Sequence, residues 1–231
     1  MKMSELSTET GVAVPTLKFY VREHLLPAGE RTSPNQSQYD ETHVKRVRLV
    51  RALLEVGGLS VARAREVIGA VDSGSLPLSS VFGIAQRAVT VPAPPATPDA
   101  LDSTGGPSEG DQLVAELCKA RGWQVYPNNP GLALAARVLD TYSGLGQQRI
   151  HAVLEQYAAA ADVVARADLA AVASAPDEAE MTNVVVVGTV LGDALFAGLR
   201  RIAQEAESFR RFPLPEGTPA PAAPSTLKDH S

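Results

Sequence analysis

The 231-residue sequence predicts a mainly α-helical chain in which two ordered modules flank a tether, and three features carry that prediction. Proline and glycine collect in "TVPAPPATPDALDSTGGPSEG" (90–110) and "PLPEGTPAPAAPSTLKDHS" (213–231), which have no apolar period and too little to bury. Elsewhere apolar residues recur every three or four positions, the repeat of a helix with one buried face. Charge divides along the same line. Residues 1–70 carry +2 and the remainder −7, so a mildly basic module is joined to an acidic one within a net charge of −5. The expected layout is an N-terminal module over 1–75, a short connecting helix over 76–90 and a Pro/Gly-rich linker over 91–110. A helical-bundle domain over 111–212 and a disordered tail over 213–231 complete it.

The elements of the first module follow in order. Ser4 is placed to cap a short helix ending at Gly11. Pro15 suits the first turn of a second helix, which "HLLP" closes. The polar run "AGERTSPNQSQ" follows, too long for a tight turn. Asp40 caps a third helix with Val44, Val47, Val50, Leu53 and Leu54 on one face, stopped by Gly57 and Gly58. Ser60 caps a fourth, with Val61, Ala64, Val67, Ile68 and Val71 aligned. Helix, turn, helix, polar loop, helix, helix is the order of a winged helix-turn-helix.

The second helix has the chemistry of a recognition helix. Leu17, Val21 and Leu25 repeat every four residues and form its expected buried stripe, leaving Thr16, Lys18, Phe19, Tyr20 and Arg22 mostly off it. Lys18 and Arg22 share a face, where phosphates would relieve their mutual repulsion of a few tenths of a kcal/mol. Thr16 and Tyr20 offer hydroxyls to backbone oxygens near a helix N-terminus that itself favours anions. Phe19 and Tyr20 point about 100° apart, so one of them is as suited to core packing as to DNA, but not both. In the following loop Arg31, Thr32, Asn35, Gln36, Ser37, Gln38 and Tyr39 form a run of hydrogen-bonding side chains able to straddle a phosphate ridge.

The stretch "LSTETGVAVPTLKFYVREHLLPAGERT…QYDETHVKRVRLVRALLEVGGLSVARAREVI" resembles the DNA-binding domain of the MerR-family transcriptional regulators over about residues 3–71, a third of the chain. That family's pattern runs T-G-V-S-x-x-T-[IL]-R-Y-Y-x-x-x-G-L-L, then R-T-x-x-G-Y-R-x-Y, then a helix ending near L-G-[FM]-S-L. Thr16, Tyr20, Arg22, Arg31 and Tyr39 keep the family's positions. Ala13 replaces the capping serine, Lys18 the usual arginine and Phe19 a tyrosine, while Asn35, Gln36 and Ser37 replace Gly-Tyr-Arg. Lysine binds phosphate as a point charge without arginine's planar fork. The resemblance implies a homodimer on a pseudo-palindromic stretch of double-stranded promoter DNA, RNA polymerase as a neighbour, and spacer distortion costing a few kcal/mol.

Family members often dimerise through a long helix after this module, whereas "SSVFGIAQRAV" gives about three turns before Pro92. Beyond the linker, helices are expected from Asn129–Pro130, over 147–173 and over 177–210. The last carries Val184, Val187, Leu191, Leu195, Leu199, Ile202, Ala206 and Phe209. Gly188 and Gly192 suit close helix approach there, either between two copies or within one domain. Trp123, Tyr126, Tyr142 and Tyr157, with His151, are the candidate wall for an apolar or aromatic small-molecule effector, competing with a plain core-anchor role.

His151 and Glu155 stand at metal-ligand spacing, a pattern far commoner in packed or solvated pairs, and Cys118 alone builds no metal site. No nucleophile–base pair, phosphate loop or carboxylate constellation points to an enzyme or a cofactor. One cysteine excludes an internal disulfide framework. The N-terminus shows no signal-like apolar run. "VVVVGTVLGDALFAGL" is interrupted by Asp193 and glycines, so no membrane span and a cytoplasmic, nucleoid-associated protein are expected. Other readings are a DNA-anchored protein-interaction module without an effector, or a helical enzyme fused to a DNA-binding domain.

Overall fold

The computed structural model describes residues 1–33, 36–90 and 106–215. Helices α1 (Met3–Thr10) and α2 (Val14–Arg22) lead into a two-stranded ribbon of β1 (Glu30–Ser33) and β2 (Gln36–Gln38). Helices α3 (Glu41–Arg51), α4 (Val61–Ser73) and α5 (Leu78–Val89) follow, then α6 (Glu109–Arg121), α7 (Pro130–Gly144), α8 (Leu154–Ala173) and α9 (Glu178–Arg211). The winged helix-turn-helix order is therefore present, in a mainly helical chain.

Most starts and stops have their expected chemistry. Gly11 ends α1 at φ +67°. Asp40 accepts from the N–H groups of Thr42 (3.0 Å) and His43 (3.3 Å) at the start of α3. Thr42 and His43 hold the Asp40 carboxyl well below the usual carboxylate range. One expected cap is corrected. Helix α1 begins at Met3 rather than at Ser4, and Glu5 reaches back to accept from the Lys2 N–H at 2.6 Å. The last turn of α3 widens into a π-helical stretch over Ala52–Val56 before Gly57, and α8 is preceded by a 3₁₀ segment over Gln148–Val153.

Helix α6 has no counterpart in the sequence reading, although Ser108 and Asp111 form a capping box at its start and Gly122 (φ +66°) closes it. It begins two residues inside the stretch expected to be linker. The rest of that expected linker (91–105), and the tail from 216 onward, lie outside the described residues.

The chain divides into two units, Met1–Gly192 and Asp193–Ser231, with the division inside α9. The reason is packing. Leu6, Leu17, Leu25, Val44, Val47, Val50 and Leu53 are fully buried. Their cluster continues through Val81 and Ala88 of α5 into Val172 of α8 and Val185, Val186 and Val190 of α9. The first half of α9 therefore buries its apolar residues in the same core as the helix-turn-helix. A smaller cluster joins Val114 of α6 to Ala136 and Leu139 of α7. There the helices approach until a Cβ on Gly110 would lie 2.2 Å from the Ala136 carbonyl oxygen, and the Gly110 N–H donates to Asp140 Oδ1 at 2.7 Å.

Expected faces shift along α9. Val185, Val186 and Val190 are buried where Val184 and Val187 were expected, and these two are half-buried. Gly188 and Gly192 have nothing within 4 Å of an added Cβ, so no neighbour among the described residues uses the space they leave. By length and composition α9 is also apolar enough to cross a membrane, with an 18-residue window of mean hydropathy 1.6 that is 17% buried. The apolar run remains interrupted by Asp193 and the glycines, over which mean hydropathy averages.

Candidate nucleic-acid interface

Helix α2 is held by its buried side and by both ends. Ala13 at its N-cap makes no side-chain bond, and Pro15 in the first turn removes an N–H that would have had no partner. At the other end His24 adopts φ +57°, the one non-glycine residue in the left-handed region among those described. Its N–H donates to the Val21 carbonyl (3.1 Å) and the Leu25 N–H to the Tyr20 carbonyl (2.9 Å), which is the double bond of a Schellman ending. The family pattern has glycine there, the residue that fits such a backbone without strain. Arg65 of α4 braces the same end, donating Nε to the Glu23 carbonyl at 2.9 Å and a terminal nitrogen to Glu23 Oε2 at 2.6 Å. Neither His24 nor Arg65 was singled out from sequence, although the pattern's glycine was a signal for the first.

The exposed side of α2 presents Lys18 and Arg22, with Thr16 and Phe19 half-buried beside them. The Arg22 side chain is 72% exposed and its guanidinium lies 5.3 Å from the Phe19 ring centre, so the ring steadies the cation without neutralising it. Glu23 lies 3.6 Å from Arg22 and is shared with Arg65. Tyr20 corrects the sequence expectation. It is 5% exposed and belongs to the core, while Val21, expected in the buried stripe, is half-buried. Burial, reinforced by the nearby Glu55 carboxylate and opposed by Arg51, raises the Tyr20 phenol above its usual pKa. The helix turns its stripe through Leu17 and Tyr20, three residues apart, instead of Leu17 and Val21.

The polar loop is a strand pair. Arg31 pairs with Ser37 and Glu30 with Gln38, and the ladder is irregular between Arg31 and Ser33. Arg31, Thr32, Gln36 and Gln38 are exposed and Ser37 half-buried; Asn35 lies outside the described residues. Thr32 donates its hydroxyl to the Gln36 carbonyl at 3.4 Å. Tyr39 is 8% exposed and does not share the polar surface. Its ring meets His43 edge-on at 5.1 Å, and its backbone exchanges hydrogen bonds with Met1 at 2.7 and 2.8 Å. Tyr39 anchors the wing rather than lining it. Gly29 at the wing's root has no space for a side chain: a Cβ would lie 2.5 Å from the Gln38 carbonyl oxygen and 2.8 Å from the Tyr39 ring.

The four described candidate effector side chains, Trp123, Tyr126, Tyr142 and Tyr157, do not gather around one cavity. Trp123 donates its indole N–H to Asp162 at 2.8 Å, and Arg121 donates to the same carboxylate at 2.7 Å, tying α6 to α8. Those two donors hold the Asp162 carboxyl below its usual pKa. Tyr157 is 52% and Tyr126 73% exposed, Tyr142 is half-buried, and the His151 side chain lies outside the described residues. Tyr126 lines an open groove of about 520 Å³ with Phe82, Gln86 and Arg87 of α5. Beyond Val125 and Asn128 a second groove of about 500 Å³ contains Val114, Cys118 and Leu132. Among the described residues no group of three or more His, Cys, Asp or Glu is placed to hold a metal ion.

Residues 1–70 match the family model of the MerR helix-turn-helix regulatory proteins. The nodulation protein NolA of Bradyrhizobium elkanii is 45% identical over 56 residues, 24% of this chain and 26% of that protein. A ZntR-homologous helix-turn-helix transcriptional regulator of Haemophilus influenzae is 28% identical over 85 residues, 31% of this chain and 63% of that one. The chain thus spans about a quarter of NolA's length and under two thirds of the Haemophilus protein's. A crystal structure of a provisionally assigned transcriptional regulator from Streptomyces coelicolor A3(2) covers 93% of this chain and 99% of its own, at 33% identity and a TM-score of 0.62.

Proposed function

The chain belongs to the MerR family of helix-turn-helix transcriptional regulators, and from that premise we propose that it binds a pseudo-palindromic promoter site as a homodimer. In this reading α2 enters the major groove, with Lys18 and Arg22 on phosphates and Thr16 and Phe19 at its edge. The ribbon carrying Arg31, Thr32, Gln36, Ser37 and Gln38 straddles the adjacent backbone. Tyr20 and Tyr39 act through packing, by fixing the angle of helix and ribbon. The observation that carries the proposal is the side of α2 that stays exposed and cationic, braced at its end by Arg65, beside a polar two-stranded wing.

The protein works in the cytoplasm on DNA, next to RNA polymerase. We further infer modulation by a small apolar or aromatic effector at the helical region, and the grooves beside Tyr126 support that reading better than a wall of aromatic side chains does.

Fluorescence anisotropy with the intergenic DNA upstream of the gene tests the DNA reading. Lys18→Ala/Arg22→Ala/Arg31→Ala removes three phosphate contacts per protomer. For a dimer on B-DNA the log–log salt slope then flattens by about five, since each contact contributes roughly 0.9. An unchanged affinity and slope in the triple variant sinks the assignment of these residues.

A further inference from the structure

The second half of α9 carries an apolar stripe that is largely exposed among the described residues. Leu195 is 64% exposed, Leu199 54% and Ile202 67%, and the exposed Ala206 and half-buried Phe209 continue the alternating four- and three-residue spacing. This is the a/d repeat of a coiled-coil seam. We propose that residues 195–209 pair antiparallel with the same residues of a second copy, which makes this segment the contact that holds the dimer together. The inference rests on the dimer reading above and adds where and in which direction the copies join.

The direction follows from side-chain size. A parallel pair sets Ala206 against Ala206 and, one turn later, Phe209 against Phe209. Adjacent layers would then require two different helix separations, whereas packed helices hold one spacing of 8–10 Å. Antiparallel pairing sets Leu199 against Ile202 of the other copy and Leu195 against Ala206. The same register carries Phe209 to Gly192, which has no side chain, and nothing among the described residues approaches within 4 Å of a Cβ built there. Large residues then meet small ones at the ends and two medium residues meet in the middle. Phe196, 42% exposed, falls beside Ala203 of the other copy, so the flanks bring no like charges together. Parallel pairing offers a flanking Glu205–Arg210 contact, but an exposed ion pair contributes at most about 1 kcal/mol and Arg210 already bonds Glu207 at 2.8 Å. Fully covered, the stripe and Phe196 bury at most about 1,200 Å² over the two copies, the lower edge of a stable interface.

Sedimentation equilibrium and disulfide trapping test the proposal on the full chain, in a Cys118→Ser background. Leu195→Cys/Ala206→Cys is expected to oxidise to a covalent dimer while Ala206→Cys alone does not. Leu199→Glu/Ile202→Glu is expected to weaken the dimer by at least about 100-fold. Efficient trapping of Ala206→Cys alone overturns the antiparallel direction, since only a parallel pair brings those positions together. A wild-type dimer unaffected by Leu199→Glu/Ile202→Glu overturns the interface while leaving the dimer reading intact. A wild-type monomer both free and on DNA removes both. Flotation of the wild-type chain with phosphatidylcholine/phosphatidylglycerol vesicles, abolished by Leu199→Glu/Ile202→Glu, would instead assign the stripe to a membrane.

Discussion

Placing one methyl group at the wing's root tests how the ribbon is held. Gly29→Ala asks nothing unusual of the backbone, because Gly29 does not adopt a positive φ. The difficulty is space. The new Cβ would lie 2.5 Å from the Gln38 carbonyl oxygen and 2.8–2.9 Å from two Tyr39 ring carbons. Ordinary heavy-atom contact begins near 3.5 Å, so about 1 Å of movement is required. Tyr39 is poorly able to yield, since its ring packs on His43 and Met1 bonds its backbone on both sides. The displacement therefore falls on β1, which carries Arg31 and Thr32. Overpacking of this kind costs about 1–3 kcal/mol.

Urea unfolding should show that loss in the midpoint with an unchanged slope, and anisotropy should show DNA affinity weakened several-fold. Gly69→Ala is the matched control, because nothing lies within 4 Å of a Cβ there and the site is an exposed interior position of α4. It should gain about 0.5–1 kcal/mol from helix propensity. Wild-type stability and affinity in Gly29→Ala would refute the claim that the wing root is closed by contact.

Two more outcomes follow from local chemistry. His24→Gly relieves a left-handed backbone at the end of α2 and should stabilise the protein by about 0.5–1 kcal/mol after glycine's extra unfolded-state entropy, seen as a higher urea midpoint; a lower midpoint would mean that the His24 side chain contributes contacts of its own. Asp162 has its folded-state pKa lowered by Trp123 and then Arg121, so its stabilising effect is complete above the unfolded value and fades as pH falls through the lowered one. Below about pH 4 the wild type should therefore lose thermal stability more steeply than Asp162→Asn, and parallel melting-temperature profiles for the two would exclude that role.

The legible parts of this protein are those set by neighbours in sequence. Asp40, Gly11, Pro15 and Asn129–Pro130 mark helix ends through bonds made within one turn, and the long apolar period of 178–211 needs no partner to be seen. The second helix was legible for the same reason, as Pro15 starts it and its cations stand four residues apart. Helix α6 was equally local, with its Ser108–Asp111 box, yet a proline-rich approach masked it.

What only the tertiary structure decided is which of several locally equivalent residues faces inward. Tyr20 and Val21 both fit a stripe beginning at Leu17. Tyr20 joins the core cluster that also holds Leu53, with the Glu55 carboxylate near enough to act on its phenol, and Val21 is left at the edge. Tyr39 was read as a wing contact and is the wing's anchor, because Gly29 admits its ring from across the ribbon. In sequence Trp123 fits a ligand wall, but in the fold it is tied to a carboxylate 39 residues away. Helix α9 shows the division most plainly. Its sequence fixes a 34-residue amphipathic helix, whereas the burial of Val185, Val186 and Val190 in one core, with Leu195, Leu199 and Ile202 left exposed, depends on surfaces supplied by distant parts of the chain. Helical periodicity is a short-range property of the backbone, and burial is a property of whatever the fold brings alongside.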